Sequence, residues 1–66
     1  MVTKDEAMEA FIRLIDDDSI DGYDTLAYYA EQVDDPACRQ CIHSYLQTDD
    51  DDSMTWLQDY FGLDKG

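Results

Sequence analysis

Basic residues are scarce in this chain: four Lys and Arg stand against seventeen Asp and Glu, a net charge of -13 over 66 residues. That balance excludes direct nucleic-acid binding, which needs clustered Lys and Arg to neutralise phosphates. It also disfavours attachment to anionic lipid. Long hydrophobic runs are missing as well. No segment approaches the roughly 18 consecutive apolar residues of a membrane-spanning helix. The N-terminal stretch Met1-Val2-Thr3-Lys4-Asp5-Glu6 has no apolar signal core, so the expected compartment is the cytoplasm. The single His, His43, has no evident nucleophile to activate, and a chain this short offers no substrate cleft of ordinary volume. The expectation is a protein without catalytic residues.

What is present points to a fold. Hydrophobic residues make up 44% of the chain and include eight aromatics, too many for a disordered acidic tail. A core built from so few residues is thin, and burial barely offsets ordering entropy at this size. Repulsion among the carboxylates opposes it further, so stability should rise with salt.

The apolar pattern predicts an all-α fold, a compact three- or four-helix bundle forming one domain over residues 1–66. Thr3 followed by Glu6 fits a capping box, so the first helix begins at about Lys4. Met8, Phe11, Ile12 and Ile15 form its stripe, flanked by Ala7 and Leu14, and Glu9 and Arg13 are spaced as an ion pair. A second helix, capped by Ser19 or Asp21, runs to about Val33. Tyr23, Leu26, Ala27, Ala30 and Val33 share its inner face, and Tyr28 is expected to be exposed. Asp35-Pro36 reads as a cap followed by proline at the first helical position. The third helix then carries Ala37, Cys38, Cys41, Ile42, Tyr45 and Leu46 on one side. Thr48-Asp49-Asp50-Asp51-Asp52 reads as a solvated connection, with Asp52 or Ser53 capping a short fourth helix. Met54, Leu57 and Phe61 face inward there, Tyr60 lies at the edge, and Trp56 covers a seam or faces a partner. Gly62 is placed as a left-handed stop, with Leu63 folding back.

Two motifs suggest metal chemistry, and both are defective. Asp17-Asp18-Ser19-Ile20-Asp21-Gly22 matches the start of an EF-hand loop, but position twelve is Tyr28 where a bidentate Glu belongs. Cys38 and Cys41 share a helix face and could bind zinc or pair, but His43 lies near the opposite side. Asp34 and Asp35 would raise a thiol pKa rather than activate it. Two small core residues is the simpler reading, and no metal or cofactor is expected.

The acidic surface itself remains. Asp outnumbers Glu fourteen to three, although Asp is the poorer helix former. Short side chains at helix ends hold charge close to a fixed scaffold. A compact chain of this length has a radius of gyration of roughly 11 Å and a diameter near about 28 Å. Duplex DNA carries about 16 charges over that length, comparable with the acidic groups here. The densest stretches are Asp16, Asp17, Asp18, Asp21 and Asp24, and a second patch from Asp49 through Asp50 and Asp51 to Asp52. Glu9 adds to this surface. Tyr28 and Trp56 are candidate aromatic anchors.

In size, charge and Asp clustering the whole chain resembles the phage-encoded DNA-mimic inhibitors, which include anti-restriction proteins, uracil-DNA glycosylase inhibitors and anti-CRISPR proteins. It looks most like the small anti-CRISPR proteins directed against type I surveillance complexes. The resemblance rests on no diagnostic motif and implies no catalytic residue. It implies a monomer that competes with target DNA at a basic groove of a CRISPR effector subunit, where the PAM duplex is gripped. The alternatives are an acidic regulatory adaptor, or a halophilic structural domain whose acidity serves only solvation.

Overall fold

Thr3 starts the first helix as read from the sequence. Its side chain accepts from the Glu6 backbone N–H while the Glu6 carboxylate accepts from the Thr3 N–H, at 3.1 and 2.9 Å. The computed structural model describes residues 1–63; residues 64–66 of the expected domain lie outside the described part. Four helices follow in order: α1 (Lys4–Asp17), α2 (Ile20–Gln32), α3 (Pro36–Thr48) and α4 (Asp51–Tyr60). The fold is an all-α four-helix bundle in which each helix packs on the next.

Phe11 sits at the centre. Its ring meets Tyr45 edge-on at 5.4 Å and Phe61 at 5.6 Å, tying α1 to α3 and to the end of α4. Leu26, Ile42, Leu57 and Cys38 are fully buried around it. Each large apolar side chain so buried contributes about 1.5–3 kcal/mol relative to exposure. The radius of gyration is 10.5 Å, close to the value expected from length.

The inner faces are rotated from the predicted stripes, for one physical reason. The first two helices approach each other closely at Gly22 of α2 and Ala10 of α1. A Cβ at Gly22 would lie 2.7 Å from the Ala10 carbonyl oxygen. That contact turns Ala7, Ala10 and Phe11 inward on α1, and Gly22, Leu26, Tyr29 and Ala30 inward on α2. Ile15 and Tyr23, expected inside, are exposed, and so is Tyr28, as expected. Ala37, also expected inside, is exposed in the first turn of α3. Glu9 and Arg13 do not pair; among the described residues, His43 Nε2 lies 3.8 Å from the Glu31 carboxylate.

The two Asp-rich connections are shorter than expected and alike. Asp18 (φ 51, ψ 40) and Asp49 (φ 55, ψ 37) are left-handed C-caps of α1 and α3. Each is followed by an extended N-cap, Ser19 (φ -62, ψ 125) or Asp50 (φ -63, ψ 120). One two-residue turn is therefore used twice. The fourth helix starts at Asp51, capped by Asp50 rather than by Asp52 or Ser53. Acidic side chains in a first turn complement the helix dipole, so Asp51 and Asp52 are helical despite low intrinsic propensity.

At the opposite end of the bundle, Arg39 of α3 reaches back to α2. Its Nε and Nη2 donate to the carbonyls of Ala30 and Val33 at 3.0 and 2.9 Å, satisfying the helix terminus. The Gln32 side-chain oxygen accepts from the Val2 N–H at 3.0 Å, and its amide donates to the Val2 carbonyl. Gly62 (φ 77) ends α4, its N–H bonding the Asp59 carbonyl and the Leu63 N–H that of Gln58, as the sequence predicts.

Candidate protein-binding end of the bundle

Because successive helices run up and down, the first and third connections fall at the same end. The two Asp patches, separated in sequence, converge there. Asp18 and Asp49 line two clefts in common. Both also act on Tyr45, whose phenol pKa is raised chiefly by burial and then by the negative charges of Asp49 and Asp18. Asp16, Asp17, Asp18, Asp21, Asp49, Asp50, Asp51 and Asp52 thus surround one end, and among the described residues no Lys or Arg lines either cleft.

The helix ends divide these carboxylates into two kinds. Asp21, Asp51 and Asp52 occupy first turns, where the helix dipole favours negative charge. Asp50 is structural: it accepts from the Ser53 N–H and Oγ at 3.1 and 2.7 Å. Asp16, Asp17, Asp18 and Asp49 sit at the C-terminal ends of α1 and α3, where the dipole opposes them and no basic residue occupies the last turn. The helix dipole opposes the charge of all four, although the backbone N–H groups of Asp18 and Asp49 cap α1 and α3 by bonding the Leu14 and Tyr45 carbonyls.

The larger cleft, about 570 Å³ and so of ordinary volume contrary to the expectation from chain length, runs between α1, α2 and α3, with Leu14, Ile20, Tyr23 and Leu46 among its walls. The smaller, about 280 Å³, includes Leu14, Ile15, Tyr45 and Met54. Asp18 and Asp49 therefore belong to the shared lining of two clefts whose walls mix polar and apolar side chains. Ile20 is 78% exposed and Tyr23 43%. Neither was nominated from the sequence. The available signal was Ile20 itself, an apolar residue between Ser19 and Asp21 at the first position of a helix, where the core cannot reach it.

The remaining candidates lie elsewhere. Glu9 and Tyr28 line a groove of about 510 Å³ on the α1–α2 face, together with Arg13 and Asp21. Asp24 is exposed on α2. Trp56 is half-buried on α4, its ring stacked on Tyr60 at 5.4 Å, so it covers a seam.

The motifs read as metal-like take other roles. Asp18 and Ser19 form a tight turn, and Gly22 lies inside α2 against α1, so the EF-hand resemblance does not extend to a loop. Cys38 is buried and Cys41 half-buried, and both are free thiols. Burial is the main reason both pKa values are raised, with Asp35 adding to each; hydrogen bonding lowers them, from Tyr60 for Cys38 and from Ser53 for Cys41. No three His, Cys, Asp or Glu side chains among the described residues converge as metal ligands. Nor, among the described residues, is any helix long and apolar enough to cross a membrane. No protein-family model matches the chain, and no curated protein or solved structure matches it significantly.

Proposed function

We propose that this protein is a DNA-mimic inhibitor that occupies the basic DNA-binding groove of another protein. The foremost candidate target is the PAM-gripping groove of a type I CRISPR surveillance complex. The observation that carries the reading is the convergence of two Asp-rich turns at one end of a helical bundle. A groove built from Arg and Lys to hold phosphates accepts carboxylates at similar spacing through charge-assisted hydrogen bonds. The bundle measures 30 × 25 × 22 Å, and duplex DNA carries about 18 charges over the longest dimension. The sequence holds 17 acidic groups. Four of the carboxylates at this end lie where their own helices disfavour them, which supports a role outside the fold.

The test is competition. Purified protein is titrated into a type I surveillance complex bound to labelled target DNA, with a restriction endonuclease and a uracil-DNA glycosylase run in parallel. DNA should be displaced from a basic target by the parent chain. A variant carrying Asp16→Asn, Asp17→Asn, Asp51→Asn and Asp52→Asn should displace it at least tenfold less well while keeping its helical circular dichroism. Undiminished competition by that folded variant would overturn the role of this end. Absence of competition against all three targets would remove the support for mimicry.

A further inference from the structure

Charge alone attracts many basic surfaces equally, so a specific inhibitor needs a desolvated anchor. The fold offers one at the acidic end. Ile20 and Tyr23 lie one turn apart on α2 and line the larger cleft, with half-buried Leu14 and Leu46. Asp18 and Asp49 stand beside them. A large aliphatic side chain left 78% exposed at the first position of a helix does nothing for the core. Together Ile20 and Tyr23 give this cleft an exposed apolar wall beside the charges of Asp18 and Asp49.

The surrounding charge decides the occupant. A second copy of this chain brings another net charge of -13, and nucleic acid and anionic lipid are repelled in the same way. Charge complementarity leaves a cationic protein surface. We infer that the Ile20–Tyr23 cleft receives one aliphatic or aromatic side chain from a Lys- and Arg-rich protein surface, whose cations pair with Asp18 and Asp49. This rests on the reading that the acidic end meets a basic protein, and it adds the element that selects among such proteins. Tyr28 and Trp56 do not line this cleft, so the anchor differs from the aromatics that the sequence suggested.

Two probes test it: a short lysine-rich peptide with one central leucine, and its twin with serine in that place. Each is titrated into isotope-labelled protein, with affinity and site read from NMR shifts. The leucine peptide should bind about tenfold tighter, as expected for burying one aliphatic side chain, and should shift Leu14, Ile20, Tyr23 and Leu46. The double variant Ile20→Asn, Tyr23→Gln should lose that difference while binding the serine twin as before. Equal affinity of the two peptides for the parent chain overturns the inference, as does a difference that survives in the double variant. The shift map on the parent chain decides the matter by itself should the double variant fail to fold: shifts confined to the α1–α2 groove near Tyr28 overturn it. Equal binding of both peptides at the acidic end leaves DNA mimicry standing and removes only the anchor. A leucine preference without DNA competition removes the mimicry and keeps the anchor.

Discussion

Gly22 supplies a test of the packing at one atom. Glycine inside a helix ordinarily costs up to about 1 kcal/mol relative to Ala, so replacing it usually stabilises. Here the added methyl would meet the Ala10 carbonyl oxygen at 2.7 Å, a backbone atom that cannot swing aside. Gly22→Ala should therefore destabilise, by about 1–3 kcal/mol as overpacked sites do, read from the midpoint of urea unfolding. Asp50 gives a second test. Its carboxylate caps α4 and also accepts from the buried Ser53 hydroxyl. Asp50→Ala should cost about 1–2 kcal/mol, whereas Asp51→Ala, one residue on and exposed, should change stability much less. The phenols add a pH test. Tyr29 and Tyr60 share a hydrogen bond at 2.8 Å. The Tyr60 pKa is raised, first by burial and then by the Tyr29 hydrogen bond. A group that stays neutral in the fold contributes stability fully below its unfolded pKa. That stability is lost as pH climbs from the ordinary phenol value of about 10 towards the raised folded value. Tyr60→Phe should thus lose less stability between neutral pH and pH about 11 than the parent chain, in unfolding curves at both pH values.

At the level of elements, the helices were largely legible because their ends carry local chemistry. Thr3 with Glu6, Asp35 with Pro36, and Gly62 each satisfy backbone groups within a few residues, and each boundary stands where the sequence put it. The start of α4 was misplaced because a run of Asp reads equally as loop, cap or first turn. The choice of Asp50 as cap depends on where the preceding turn leaves the chain. Which side of α1 and α2 faces inward was hidden for a different reason. Gly22 reads as a turn residue beside Asp21, and nothing local reveals that it makes room for another helix. The candidate site was legible as two patches, but their meeting is a consequence of up-and-down topology, which brings together Asp18 and Asp49 from 31 positions apart. The helix ends then make a prediction of their own. Asp17 lies in the last turn of α1, against the dipole and without a basic neighbour in that turn. Asp17→Lys should raise stability by about 0.3–1 kcal/mol at low ionic strength. The gain should shrink at high salt, while binding to a basic partner weakens. A lysine that left low-salt stability unchanged or lowered it would show that the dipole does not oppose charge at this position.

At the scale of the whole molecule, folding and binding should answer salt in opposite directions. Electrostatic screening length is about 30 Å at 0.01 M ionic strength and about 3 Å at 1 M. The first value matches the longest dimension of the bundle, 30 Å, so at low salt every carboxylate feels nearly all the others. The second is shorter than most separations between them, so repulsion then survives only between immediate neighbours. The core that must hold against this repulsion is small: Phe11, Leu26, Ile42, Leu57 and Cys38 are its largest fully buried side chains. Melting temperature should accordingly rise from low to high NaCl, steeply at first and then levelling as the screening length falls below the spacing of the Asp patches. Association with a basic partner depends on the same long-range field but with the opposite sign, so its rate should fall over the same interval. The two salt responses separate the candidate roles. A domain whose acidity serves only solvation in brine would be unfolded at ordinary ionic strength and would gain its helical circular dichroism near molar salt. A mimic must be folded where DNA-binding proteins work, at about 0.15 M, with its charge still unscreened enough to steer encounter. A cooperative melt well above room temperature at that ionic strength, together with an association rate that drops at least tenfold by about 0.5 M, is the result expected if the proposed DNA mimicry holds.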